Sequence, residues 1–207
     1  MKADLVVHNV YREEIILTDG IRLLLRPIQP ADKQKFIDGF QNLSAESRYR
    51  RFLSAKTALT PDDLRFFTEL DGFNHFALGI ALLDDAGNEG EGVGVARFIR
   101  FAEGSEVAEL AITVVDGWQH QGIGRLLVER LITAASERGI KRFHGCFIAG
   151  NTPIRSLIQH VCPAVAFHTE GTLVEAELPI TGRISQPQIE PLHHRGRVRQ
   201  RLALADS

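Results

Sequence analysis

The stretch AELAITVVDGWQHQGIGRLLV, residues 108–128, carries the clearest structural signal in the chain. It begins with an apolar run typical of a buried strand, passes through a turn containing Gly122 and Gly124, and continues as a periodic helix. Glycines in such a turn let the backbone approach a ligand closely, and the free N–H groups that begin the helix favour an anion. The pattern predicts a strand–turn–helix unit that binds phosphate or pyrophosphate.

Two common phosphate loops do not fit this turn. The dinucleotide fingerprint requires a third glycine where this chain has Leu127, and the P-loop requires a lysine where Gly124 is followed by Arg125. The spacing Gln119-x-x-Gly122-x-Gly124 instead resembles the acyl-coenzyme A signature of the GNAT acyltransferases, which lies between a strand and a long helix. The resemblance implies an acyl-CoA-dependent N-acyltransferase.

Composition limits the other classes of function. The 207 residues suit one α/β domain, and the formal charge of −2 provides no overall field to hold nucleic acid or an anionic membrane. No apolar run approaches the roughly 18 residues of a membrane span, and no leader pattern is seen at the N-terminus. No histidine, cysteine or acidic cluster has metal-ligand spacing. We therefore expect a soluble cytoplasmic protein without a metal.

The order of predicted elements is strand, helices, three strands, helix, strand, helix and closing strands. This is the GNAT order, so the resemblance implies an α/β GNAT fold, with a mixed central sheet that is splayed at the acyl-CoA site and flanked by helices. The predicted strands are residues 21–26, 76–83, 92–101, 107–115, 143–148 and one or two within 165–179, and the main predicted helices are 31–40, 44–52, one from Thr60, 122–138 and 151–161.

The predicted domain organisation has three parts. Residues 1–18 show no clear period and form an N-terminal segment, residues 19–182 form the acetyltransferase domain, and residues 183–207 form a basic tail. The arginines of this tail either contact phosphate or an acidic partner, or belong to a solvated terminus.

The resemblance assigns most cofactor contacts to the central stretch. Backbone N–H groups of residues 120–125 are expected to hold the pyrophosphate, and residues 112–114 to bond the pantetheine amides as another strand would. Asn151 either contacts the cofactor arm or only caps the next helix. The predicted cofactor-binding residues are Ile112, Thr113, Val114, Gln119, His120, Gln121, Gly122, Ile123, Gly124, Arg125 and Asn151.

Amine acetylation also needs a base. A lysine ε-amine has a pKa of about 10.4, so at pH 7 its neutral form is scarcer by a factor equivalent to roughly 4.6 kcal/mol. Glu109 is a lone carboxylate in an apolar strand, at the strand position where protein-acetylating GNAT members carry their base. Burial there is expected to suit it to accept the proton. The alternative is that Glu109 only faces solvent at a strand edge.

The general acid is where the chain departs from the family. Many members protonate the leaving thiolate with a tyrosine after the last central strand, but here the tyrosines, Tyr11 and Tyr49, lie far upstream. His160, Cys162 and His168 are the nearby candidates, and protonation by water is the alternative. We expect both cysteines, Cys146 included, to be small core residues.

Several further segments resemble the catalytic domain of bacterial Pat-type protein lysine acetyltransferases. They are Arg26-Pro27-Ile28, residues 44–52, Leu70-Asp71, residues 75–78 and residues 108–111. The expected partners are acetyl-CoA as cosubstrate and a protein lysine as the amine acceptor. The chain length and a GNAT-like sheet are also compatible with a homodimer. A small amine as acceptor and a silent acyl-CoA-binding module remain the alternatives. Arg48, Arg50 and Arg51 either line the entrance or form a solvated basic face.

Overall fold

Eight strands form one mixed sheet in the computed structural model, which describes Val7 and residues 10–180. In chain order they are β1 (Glu13–Ile16), β2 (Arg22–Pro27), β3 (His75–Leu83), β4 (Glu89–Arg100), β5 (Val107–Val114), β6 (Arg142–Ile148), β7 (Ala166–Glu170) and β8 (Leu173–Pro179). Their order across the sheet is β1-β2-β3-β4-β5-β6-β8-β7. Only the β5–β6 pair is parallel. The fold prediction is confirmed.

Five α-helices cover the two faces of the sheet. They are α1 (Lys33–Gln41), α2 (Ala45–Phe52), α3 (Pro61–Thr68), α4 (Ile123–Glu137) and α5 (Thr152–Val161), with one-turn 3-10 helices at Pro30–Asp32 and Asp116–Trp118. Each predicted helix forms, and their ends are set by local chemistry. The hydroxyl of Thr60 caps α3 through the Asp63 N–H, and Ser44 caps α2 through the Ser47 N–H.

The core has two apolar layers, one on each side of the sheet. Phe76, Phe98 and Phe143 contact one another in sequence across β3, β4 and β6, and all three are fully buried beneath α4. On the other side, α1, α2 and α3 bring together Phe36, Phe40, Phe52 and Phe67. The central strands, β5 among them, are therefore packed between two apolar layers.

β1 is an addition that the sequence pattern did not indicate. It lies inside residues 1–18 and pairs antiparallel with β2 along the edge of the sheet. Its Glu13 accepts hydrogen bonds from the buried guanidinium of Arg130 on α4, with Nε at 2.7 Å and Nη2 at 2.5 Å. The strand is thus stabilised by an ion pair between residues 117 positions apart in the sequence. Local hydrophobic periodicity cannot reveal such a contact. The predicted tail, residues 183–207, lies outside the described residues.

Candidate active site

A split between β5 and β6 creates the candidate site. β5 pairs with β4 from Ala108 to Val114, but it pairs with β6 only from Val107 to Glu109. Beyond Glu109 the two parallel strands separate, which leaves one edge of β5 open. The predicted splay is therefore present, between the two strands for which it was expected.

The pairing alternation shows which backbone groups face the open edge. The Val115 N–H donates to the Val93 carbonyl oxygen at 3.0 Å, so the residues that bond β4 are the odd-numbered ones. Leu110, Ile112 and Val114 consequently direct their N–H and C=O groups toward the opening. This placement agrees with the expectation for Ile112 and Val114.

Thr113 differs from its prediction. Its antiparallel partner is Val95, so its N–H and C=O point to β4 and are not available to a pantetheine arm. Thr113 nevertheless borders the cleft. The cause of the difference is the two-residue period of a strand, which allows alternate residues, and not a run of three, to bond along one edge.

The turn after β5 displays unpaired amides. His120 has a φ of 60° and Gly122 a φ of 83°, and α4 begins at Ile123 with Gly122 as its N-cap. Within residues 10–180, no hydrogen bond uses the backbone N–H groups of residues 120–124. Trp118 is buried in the core beneath this turn. The turn therefore combines free N–H donors with the positive end of a 15-residue helix, the arrangement expected for pyrophosphate.

The glutamines of the motif support the turn with their side chains. Gln119 Nε2 donates to the Val114 carbonyl oxygen at 3.0 Å and to Asp116 Oδ1 at 3.1 Å. Gln121 is buried, and its Nε2 donates to the Gly117 carbonyl oxygen at 3.0 Å. The Gln119 N–H also donates to the Asp116 carbonyl oxygen at 3.3 Å, so of these two residues only Gln121 keeps, within the described part of the chain, an unbonded backbone N–H for a ligand.

Arg125 and Gly124 occupy the first turn of α4. Arg125 forms an ion pair with Glu129 at 2.7 Å. A Cβ placed on Gly124 would lie 3.2 Å from Leu157 Cδ2 and 3.7 Å from Ile112 Cδ1. Gly124 therefore permits close packing of α5 against the turn as well as backbone approach.

Asp116 is a functional residue that the sequence reasoning missed. Its Oδ2 accepts from the Ser44 N–H at 2.5 Å, and its Oδ1 accepts from the Ser47 hydroxyl in addition to Gln119. One carboxylate thus joins the beginning of α2 to the turn. The only sequence signal for Asp116 was its position three residues before Gln119 of the motif. Its two serine partners lie about seventy positions upstream, so local sequence could not indicate them.

Glu109 lies on the floor of a cleft with a volume of about 470 Å³. Its side chain is exposed, so the expectation that the strand would bury it is wrong. Glu109 is paired with Ile99 on β4 and with His144 on β6, so its side chain extends from the face of the sheet into the open cleft below α2 and α3. On the same face of the sheet, the cleft includes Arg97, which lies opposite Ala111 on β4, and the aromatic ring of Phe67.

Asn151 lies on the opposite wall of the cleft. Its Oδ1 accepts from the Ile154 N–H at 3.4 Å, which caps α5. The same residue borders the cleft, so capping and cofactor contact are compatible.

The three arginines of α2 have different environments. Arg48 donates to the carbonyl oxygens of Phe40 and Gln41, both at 3.1 Å, and its guanidinium stacks on the Phe40 ring. Arg50 and Arg51 both border the cleft. Arg50 and Arg51 are therefore located where the entrance interpretation requires, whereas Arg48 packs against α1.

The cysteine prediction is half wrong. Cys162 is buried, but Cys146 is exposed on β6 and borders the cleft. Burial, and then the charges of Glu175 and Glu109, raise the pKa of the Cys146 thiol. The acid candidates His160, Cys162 and His168 are absent from the residues that line the cleft, as are both tyrosines.

A second, smaller cavity of about 100 Å³ adjoins the cleft between the sheet and α1. Its walls are mainly apolar, and it shares Arg51, Phe52, Phe67, Arg97 and Thr113 with the cleft. Among the described residues, no group of three metal-ligating side chains is found, and no helix is long and apolar enough to cross a membrane.

Comparison with known proteins supports this geometry. The acetyltransferase (GNAT) domain family matches residues 22–161. Acetyltransferase Pat of Mycolicibacterium smegmatis is 32% identical over 137 residues, which are 66% of this chain and 40% of that protein. Acetyltransferase PA5475 of Pseudomonas aeruginosa is 28% identical over 151 residues, which are 73% of this chain and 77% of that protein.

Among solved structures, the GNAT domain of S. lividans PAT matches with a TM-score of 0.71 at 24% identity, covering 81% of this chain and 96% of that domain. This match supports the fold. The chain spans 40% of the length of the mycobacterial relative.

Proposed function

The chain belongs to the GNAT acetyltransferase family, and on that premise we propose that it transfers the acetyl group of acetyl-CoA to a primary amine. The proposed amine is the side chain of a protein lysine, and Glu109 is the proposed general base. The observation that carries the proposal is the open edge of β5 between the amide-lined turn and Glu109. The choice of a protein lysine rests on the motifs shared with Pat-type protein lysine acetyltransferases.

The cleft offers the cofactor a continuous row of donors. The N–H groups of residues 120–124 receive the pyrophosphate, and the open edge at Leu110 and the Ile112 carbonyl oxygen bond the pantetheine amides in the manner of an added strand. The Val114 carbonyl oxygen is already bonded to Gln119. The acyl group is then directed toward the β5 residues next to Glu109.

The reaction is a direct transfer. The amine nitrogen attacks the thioester carbonyl carbon, the C–S bond breaks, and the amine proton goes to Glu109 directly or through one water. We assign the Ile112 N–H to the developing oxyanion, and the position of Ile112 on the open edge of β5 supports this role. The leaving thiolate takes its proton from water, since His160, Cys162 and His168 do not line the cleft.

The proposal is tested by measuring the release of free CoA thiol from acetyl-CoA in the presence of lysine-bearing proteins, polyamines or amino acids. A blank without acceptor corrects for the thiol signal of the exposed Cys146. We expect Glu109→Gln to lower kcat by about 10²- to 10⁴-fold while the acetyl-CoA Kd stays unchanged. Glu103→Gln is the matched control, an exposed carboxylate in the loop before β5.

The outcomes separate the alternatives. Unchanged turnover in Glu109→Gln removes this residue from the mechanism. Turnover confined to polyamines or amino acids replaces the lysine with a small amine. Tight acetyl-CoA binding without turnover on any acceptor indicates a silent binding module.

A further inference from the structure

Some charged side chains of the cleft already have partners. Arg50 is paired with Glu46 one helical turn before it on α2, at 2.5 Å. Asp63 is paired with Lys56 at 2.8 Å. These charges are balanced within the protein, so they contribute little net charge to the cleft.

Arg97 has no carboxylate partner among the described residues, although it is only 2% exposed. Its Nη1 lies 3.2 Å from His75 Nε2, its Nη2 donates to the Phe67 carbonyl oxygen at 3.4 Å, and its guanidinium stacks on the Phe67 ring at 4.6 Å. Burial lowers the pKa of His75 to about 4, so this imidazole is neutral at pH 7. Burial, and then the charge of Arg51, lower the pKa of Arg97 itself to about 9.

Arg51 is a second cation without a partner within hydrogen-bond distance. Residues 10–180 contain no hydrogen bond and no ion pair within 4.0 Å from its guanidinium, which lies 5.2 Å from the Phe52 ring centre. Desolvation lowers the pKa of Arg51, and the charge of Glu109 opposes this change. The residue is held in place because α2 is tied to Asp116 through Ser47, one turn earlier.

The unpaired charges of the cleft are therefore two arginines and one glutamate, a net charge of +1. An acceptor that enters as an ammonium ion adds a further positive charge to a partly desolvated site, which is unfavourable. An acceptor that also carries an anion would instead balance the charge and fill the free donors of the guanidinium groups.

The register of the sheet gives this charge pattern a direction. Arg97 lies opposite Ala111 and Glu109 lies opposite Ile99, so the two are diagonal neighbours on the same face of the sheet, separated by about 7–8 Å at the backbone. One end of the acceptor site is thus acidic and the other is basic.

We propose that the acceptor presents a carboxylate beside its reactive amine, and that Arg51, backed by Arg97, binds this carboxylate while Glu109 faces the amine. The inference rests on the proposed acetyl transfer and specifies its substrate class. The carboxylate comes either from an acidic residue next to a lysine or from the acceptor molecule itself as an amino acid, and both sources use the same recognition.

The test uses two matched pairs of acceptors on the full chain. The first pair is a capped peptide with a lysine flanked by glutamate and the same peptide with glutamine. The second pair is free L-lysine and L-lysinamide. For the wild type we expect kcat/KM to favour the carboxylate member of at least one pair by tenfold or more, and the responding pair identifies the source.

Arg51→Gln should abolish this preference by raising the acceptor KM, whereas Arg51→Lys should restore part of it. Arg65→Gln is the control, since Arg65 is an exposed arginine on α3 that is paired with Asp62 and does not line the cleft. The acetyl-CoA Kd should be the same in all variants. Equal rates on both members of each pair overturn the proposal, and so does a tenfold weaker acetyl-CoA Kd in Arg51→Gln, which would assign this arginine to a cofactor phosphate.

Calorimetric binding of the same acceptors in the presence of CoA separates this inference from the proposed function. Discrimination between glutamate and glutamine peptides that depends on Arg51, without any turnover, would support the carboxylate site and contradict the acetyl transfer. Turnover without such discrimination would do the reverse.

Discussion

Gln119 Nε2 donates a 3.0 Å hydrogen bond to the carbonyl oxygen of Val114, so the first residue of the glycine motif closes the end of the open strand edge. The same amide nitrogen donates to Asp116, which in turn holds the beginning of α2. Gln119 is therefore a brace between β5, the turn and the helix that carries Arg51. Its side chain shapes the cofactor site from behind.

Removal of this brace should weaken cofactor binding. Gln119→Ala deletes two hydrogen bonds, each with a net contribution of about 1 kcal/mol, and leaves the Val114 carbonyl oxygen and Asp116 with one donor fewer. We expect the acetyl-CoA Kd to rise about tenfold, as measured by titration calorimetry. Gln159→Ala, an exposed change on α5, should have no effect, and an unchanged Kd in Gln119→Ala would contradict the bracing role.

Gly122 adopts a φ of 83°, a left-handed conformation that favours glycine. We expect Gly122→Ala to lower the free energy of unfolding by about 1–2 kcal/mol and to raise the acetyl-CoA Kd several-fold, because the turn amides would shift. Gly104→Ala is the matched control, with a φ of 74° and open space around its Cβ position. Urea denaturation should show similar losses for both, and only Gly122→Ala should bind acetyl-CoA more weakly. Equal affinity in the two variants would count against the turn as the pyrophosphate site.

The features that could be predicted from the sequence are local. The strand, the glycine turn and the helix at residues 108–137 follow one another without interruption, and the caps at Ser44 and Thr60 lie within three residues of the groups they bond. Hydrophobic periodicity and capping chemistry depend on near neighbours, so each element could be assigned without knowledge of the fold.

The features that were missed depend on tertiary register. The exposure of Glu109 and Cys146 follows from the cleft that the helices leave open on this face of the sheet. The unpaired state of Arg51 and Arg97 follows from where α2 and α3 pack. Asp116 could not be identified as a junction because its serine partners come from a distant helix. A strand pattern indicates which residues alternate, but it does not indicate where a neighbouring strand stops pairing.

A buried ion pair should make stability depend on pH in the acid range. Arg26 donates to both carboxylate oxygens of Asp32, at 2.8 and 2.7 Å, and both side chains are more than 90% buried. Burial raises the pKa of Asp32, but the hydrogen bonds from Arg26 and from the Gln29 N–H outweigh it and hold the pKa below its ordinary value of 3.8. The hydrogen bond from Arg26 likewise lowers the pKa of Glu89.

Because these pKa values are lower in the folded state, their contribution to stability is complete above the ordinary values and is lost as the pH falls through the folded values. We expect the urea concentration at the unfolding midpoint of the wild type to decrease when the pH is lowered below about 4. Asp32→Asn should cost about 3–5 kcal/mol at pH 7 and should flatten this acid dependence. Asp62→Asn, which breaks an exposed ion pair, should leave the urea midpoint nearly unchanged. If the Asp32→Asn variant keeps the full acid dependence, other carboxylates are responsible for it.

Cys146 offers a direct probe of the cleft, since it is exposed there and Cys162 is buried. Burial and the nearby charges of Glu175 and Glu109 raise the pKa of its thiol, so alkylation by iodoacetamide should be slow at neutral pH and should accelerate as the solution is made alkaline. Mass spectrometry should place the label on Cys146 and leave Cys162 unmodified, and Cys146→Ser should take up no label in the folded state. Saturating CoA should protect Cys146, because the cofactor would lie between β5 and β6. Labelling at the same rate with and without CoA would show that the cofactor binds elsewhere.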